Sequence, residues 1–147
     1  MAKVVLIDLG DFSHNEIEIN LGNPLMPIAT PLLAALTGKI SGENFVVISR
    51  GVLGGKNGVG LSDAIISAIS PQSGGLIESK IQGRLANALD SIGVDAIALT
   101  NRAKSLTGIE LTDRGFLEFN FPNAKKLKGR IKTTSINIYF IFLILVI

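Results

Sequence analysis

The sequence predicts an α+β domain, rich in strands and carrying two helices. Three observations point there. Short Ile- and Val-rich runs recur between turns, as at Val4 to Ile7, Asn44 to Ser49 and Asp63 to Ser70. Only two stretches carry helix signals, Thr30-Pro31-LLAALTGK and Ser79 to Ile92. The segment 61–100 reads as one strand–turn–helix–strand sentence.

The elements follow in order. Lys3 to Leu9 and Glu16 to Asn20 flank the polar turn Gly10 to Asn15, a hairpin with a longer loop. The first helix has Thr30 as its expected N-cap and Pro31 at its first position, where a missing N–H costs nothing. Asn44 to Ser49 is a strand, and Gly51 to Gly60, with five glycines, is a flexible crossing. Asp63 to Ser70 is the next strand. Pro71-Gln72-Ser73-Gly74-Gly75 is a turn, because Pro fixes φ and Gly permits positive φ. The second helix has Ile81, Leu85, Ala88, Leu89 and Ile92 at helical spacing, and Gly93 stops it on a left-handed residue. Val94 to Leu99 is a buried strand. Gly108 to Thr112 and Gly115 to Phe121 flank Asp113-Arg114, a second hairpin, and Lys125 to Gly129 is a polar exit.

Composition narrows the function classes. The chain has 147 residues, 47% of them hydrophobic and 18% charged, which suits one folded domain rather than a disordered chain. It has no cysteine, so disulfides and thiolate-held iron–sulfur clusters are excluded within it. The single histidine, His14, cannot build a zinc site or a Ser/His/Asp triad alone and reads as a surface turn residue. The start MAKVVLIDLGD has too short an apolar run for a secretory signal, so a cytoplasmic setting is expected. Residues 1–124 carry net charge −3 and residues 125–147 carry +5. The body lacks a basic face with interleaved aromatics, so no nucleic-acid partner is expected.

Two places invite an anion. The glycine run 51–60, with Lys56, offers backbone N–H groups but has neither phosphate-loop spacing, and a plain loop reading stands beside it. The expected start of the second helix offers unpaired N–H groups, with Lys80 and Arg84 one turn apart on one face. Those two side chains are either a phosphate clamp or solvated surface cations. Asp95, at the head of a buried strand, reads as a structural hydrogen-bonding group.

The segments SGENFVVISRGVLGG (41–55), ISPQSGG (69–75) and LDSIGVDAIAL (89–99), in that order and spacing, resemble the N-terminal domain of the tungsten-containing aldehyde ferredoxin oxidoreductases. The patterns lie together without a gap from Asp63 to Leu99, and more loosely from Ala2 to about Gly129. The resemblance implies two packed sheets forming a base for a pterin. It implies tungstopterin as cofactor, with Gly74, Lys80, Gly83 and Arg84 as the cofactor-binding candidates. It also implies a separate chain carrying the iron–sulfur cluster and, through it, ferredoxin. The sequence departs from the family at two positions. Asp63 stands where the enzymes present an arginine to the cofactor's phosphates, and Lys80 stands where they have an asparagine near the bridging metal. A cofactor-free interaction module with the same fold is the alternative reading, and self-association is compatible with either.

Residues 1–129 are read as the domain and 130–147 as an atypical basic and then apolar tail. Ile136 to Ile147 is too short for a full membrane span of roughly 20 residues. A weak anchor, a final buried strand and a truncated reading frame are the three readings of that tail.

Overall fold

The computed structural model describes residues 1–20, 28–39, 45–51, 63–82, 85–104, 107–112 and 115–120. The glycine run beyond Gly51, Lys56, Gly83, Arg84, the Asp113-Arg114 turn, Lys125 to Gly129 and the tail 130–147 lie outside the described residues.

Residues 1–101 form one unit. Its strands are β1 (Ala2–Asp8), β2 (His14–Ile19), β3 (Phe45–Arg50), β4 (Ala64–Ile69), β5 (Leu76–Ile81) and β6 (Ala96–Thr100), and its helices are α1 (Ala29–Lys39) and α2 (Leu85–Ser91). The strands make a single sheet in the order β2-β1-β6-β3-β4-β5. Among the described strands only β1 and β6 run parallel, with Val4 opposite Ala96 and Asp8 opposite Thr100. All other neighbours are antiparallel.

Alternation along the strands sorts the core onto two faces. On one face Val4, Phe45, Val47, Ala96 and Ala98 pack with Ala29, Leu32, Leu33 and Leu36 of α1. Val5, Ile7, Ile48, Ile97 and Leu99 take the opposite parity and are also buried. There α2, with Leu85, Ala86, Ala88 and Leu89 buried, packs on β3. A strand covered on both sides needs apolar residues at every position, and β6 (AIALT) is buried throughout. The α+β class with two helices therefore stands as expected, but the described strands of residues 1–101 make one mixed sheet rather than two packed sheets, because helices cover its faces.

Several local expectations hold in detail. The first hairpin pairs Ala2 with Ile19 and Ile7 with His14. Gly93 takes φ +70° just past α2, where its Cα hydrogen avoids the clash a Cβ would bring. Gly74 takes φ +67° in the turn that joins β4 to β5.

Two expectations are corrected. Residues 79–92 do not form one helix. Leu76–Ile81 is a strand, hydrogen-bonded to β4 over six residue pairs, and the described helix is Leu85–Ser91. The Pro71–Gly75 turn closes a hairpin locally, and the adjoining segment zips onto β4 before a helix can start. Ile81 happens to sit in helical phase with Leu85 and Leu89, which made the two periods indistinguishable. The second correction is at α1, where the Ile28 carbonyl accepts the first helical bond from Leu32 N–H at 3.0 Å. Thr30 therefore lies inside the first turn and is not the N-cap; its hydroxyl turns to the sheet instead.

The second unit begins at Arg102. Its described strands, β7 (Thr107–Thr112) and β8 (Gly115–Asn120), form the expected hairpin, with Thr112 opposite Gly115. No helix among the described residues is long and apolar enough to cross a membrane.

Candidate functional site

Polar side chains of the first unit gather in three places. The first is at the base of β6. Asp95 accepts the Lys3 N–H at 2.8 Å on one carboxylate oxygen and the Arg50 Nε–H at 2.8 Å on the other. Asp95 N–H in turn donates to the Lys3 carbonyl, and Arg50 N–H to the Asp95 carbonyl. Arg50 also reaches Asp90 of α2 at 3.3 Å. The guanidinium thus ties β3, β6 and α2 together, and the expected structural role of Asp95 is what the geometry shows. Arg50 was not singled out by its sequence setting. The usable signal was a cation ending an otherwise apolar strand.

The second place is the turn region after β1. Asp8 accepts Gly10 N–H at 2.7 Å and Asn101 Nδ2–H at 2.7 Å, and Leu9 N–H bonds the Thr100 carbonyl at 2.9 Å. Phe12 and Asn101 both take φ +59° here. The backbone N–H of Ser13, together with its hydroxyl, holds the Asp11 carboxyl below the ordinary aspartate range.

The third place is the α1 face of the β4–β5 hairpin. Thr30 of α1 and Ser67 of β4 have their hydroxyls 3.1 Å apart, and the Thr30 hydroxyl donates to Glu78 of β5. Ser67 Oγ lies 3.5 Å from the same carboxylate oxygen. One row along, Lys80 stands opposite Ile65 and makes an ion pair with Asp63, two residues before Ile65 on the same side of the strand. Gly51 completes this corner: its N–H bonds the Asp63 carbonyl at 2.8 Å, and a Cβ there would come within 2.9 Å of that oxygen. Ser49, opposite Ile65 in the same row, buries a hydroxyl that has no hydrogen-bond partner among the described residues. An unpaired buried hydroxyl costs about 1–3 kcal/mol.

Of the four expected cofactor contacts, Gly74 and Lys80 are among the described residues, and they lie at different places along the β4–β5 hairpin. Lys80 is on an edge strand and bound to Asp63. Gly74 sits in the exposed turn at the far end of that hairpin, and the space its missing Cβ leaves is open. Gly83 and Arg84 are outside the described residues. Thr30, Ser67 and Glu78 were missed, because their meeting depends on α1 crossing β4 and leaves no local pattern. No group of three or more His, Cys, Asp or Glu among the described residues could hold a metal ion.

A pterin phosphate needs donors that are not already occupied. In residues 1–101 the described cationic side chains are Lys3, Arg50 and Lys80, and each has a carboxylate partner: Glu16, Asp90 with Asp95, and Asp63. The lone Ser49 hydroxyl is sealed from solvent and supplies one donor at most. The described residues of this corner therefore do not fit the phosphate of such a cofactor.

The six-stranded mixed sheet with a helix on each face defines an α+β scaffold whose polar side chains mostly satisfy one another. The chain belongs to the family of the aldehyde ferredoxin oxidoreductase N-terminal domain, whose model matches residues 27–138. Among solved structures, it is similar to a chain described as "Active site complex BamBC of Benzoyl Coenzyme A reductase in complex with 1,5 Dienoyl-CoA", with a TM-score of 0.69 and 18% identity. That likeness covers 81% of this chain and 20% of the other, and at this identity it is a likeness of fold. No curated protein matches the chain.

Proposed function

We propose that this chain serves as the sheet-forming N-terminal module, fragment or subunit, of an aldehyde ferredoxin oxidoreductase-like protein, and is not catalytic by itself. The observation that carries this reading is the six-stranded mixed sheet in a chain whose family match runs over residues 27–138. The absence of cysteine supports the second half, since a cluster needs thiolates from elsewhere. In this reading a separate chain or domain supplies the cluster and the proton-transfer groups, and ferredoxin meets that chain. The reaction of the assembly is oxidation of an aldehyde to an acid. The setting is cytoplasmic, with no nucleic acid involved.

Tungstopterin is the cofactor this reading implies, and it would supply the redox chemistry when bound. Gly74, Gly83 and Arg84 remain the proposed contacts, while Lys80 is committed to Asp63. A second reading is favoured by that same ion pair: a cofactor-free interaction module that keeps the fold. Elemental analysis of the purified native protein, with pterin fluorescence after oxidative release, separates the two. Tungsten or molybdenum with stoichiometric pterin supports the cradle. Neither, in a folded protein, supports the cofactor-free module.

A further inference from the structure

We infer that Asp63 acts as a built-in anion for Lys80, closing the β4–β5 edge to phosphate, so that the sheet is complete there without any cofactor. This inference rests on the family reading only for its interest, and its evidence is the charge arrangement itself. Register places Asp63, Glu78 and Lys80 on one side of the hairpin. The ammonium of Lys80 already meets the Asp63 carboxylate. The Glu78 carboxylate, two residues away on the same strand, is held by the Thr30 hydroxyl. The three side chains sum to one net negative charge, so an incoming phosphate would meet two carboxylates for one occupied cation.

Competition favours the resident carboxylate. Asp63 is tethered on the neighbouring strand, so its local concentration at Lys80 is on the order of millimolar or higher, as for any short intramolecular link. A free phosphate must displace it and then tolerate the freed Asp63 carboxylate and the nearby Glu78 carboxylate. The other described cations of residues 1–101 offer no alternative, since Lys3 and Arg50 are held by Glu16, Asp90 and Asp95. One main-chain donor of this corner is taken as well: Gly51 N–H is bonded to the Asp63 carbonyl at 2.8 Å.

The test is isothermal titration of the full native chain with inorganic pyrophosphate at low ionic strength. The expected result is no saturable binding that depends on Lys80: native protein and Lys80→Ala give the same trace. Asp63→Arg places two cations on that side and is expected to create saturable, salt-sensitive binding. Asp63→Asn, which changes shape least, is the second variant and is expected to raise pyrophosphate affinity in the same direction but less. Circular dichroism confirms that each variant is folded. Native binding that is lost in Lys80→Ala overturns the inference, and so does a folded Asp63→Arg that gains nothing. The family reading fails differently. If native protein carries pterin and the Lys80→Ala protein keeps it, the closed edge stands and the cofactor is held elsewhere. If Lys80→Ala loses that pterin while still folded, the closed edge is wrong and the cradle survives.

Discussion

Strands β6 and β5 belong to the same sheet and meet opposite fates. Every residue of β6 is buried, with a strand on each edge. In β5 every residue but Ile81 is exposed, one edge is open among the described strands, and Leu76 and Ile77 stand 51% and 53% exposed. Each strand also has an ion pair beside it. Arg50 with Asp95 is largely covered and joins three elements, while Lys80 with Asp63 sits at the rim. The contrast teaches that stability is set by the centre of this sheet far more than by its β5 edge.

The sharpest way to break that comparison is one substitution made in both strands. Ile97→Ala is expected to cost about 2–5 kcal/mol, since it empties a site 2% exposed in the centre of the sheet. Ile77→Ala is expected to cost less than about 0.5 kcal/mol, as for most exposed positions. Urea unfolding of the two variants checks both values, and equal losses would mean that β5 is as well packed as β6.

The ion pairs give the next contrast. Asp95→Ala removes acceptors from the Lys3 N–H and from Arg50 together, and is expected to cost about 1–3 kcal/mol, discounted for partial exposure. Lys80→Ala is expected to cost at most about 1 kcal/mol, because its side chain is 60% exposed and its pair is screened by water. Thermal melts at low and high salt sharpen this: salt should narrow the gap between native and Lys80→Ala more than that between native and Asp95→Ala.

The smallest effect lies at the Asp11 turn. Its carboxyl is held below the ordinary range when folded, so its contribution to stability is present above the unfolded-state pKa and is lost as pH falls through the folded one. The stability difference between native protein and Asp11→Asn is therefore expected to fade on acidification below the ordinary aspartate pKa. A difference that grows there instead would mean the turn does not favour the carboxylate.

Much of this architecture was legible along the chain. The two hairpins at residues 2–19 and 107–120, the strands β3, β4 and β6, and the stop at Gly93 all rest on signals within a few residues: alternation, turn chemistry and positive φ. The segment 76–81 was not legible, because Ile81, Leu85, Ala88 and Leu89 satisfy helical spacing as well as Leu76 to Ile81 satisfy a strand. The structural role of Asp95 was readable from its place at the head of a buried strand. The partner it holds, Arg50, was not, since 45 residues separate them.

By itself, then, the sequence determined the strand-rich class, the turns, the apolar strand that must be central, and the lack of any thiolate ligand, because each depends on residue type and near neighbours alone. The tertiary structure decided which strands lie side by side, that residues 76–81 are a strand, and that Asp63 and Lys80 neutralise each other across a hairpin. Pairing between distant residues is chosen by which arrangement buries the most apolar surface and leaves the fewest charges alone, and that is a property of the whole sheet rather than of any stretch of it.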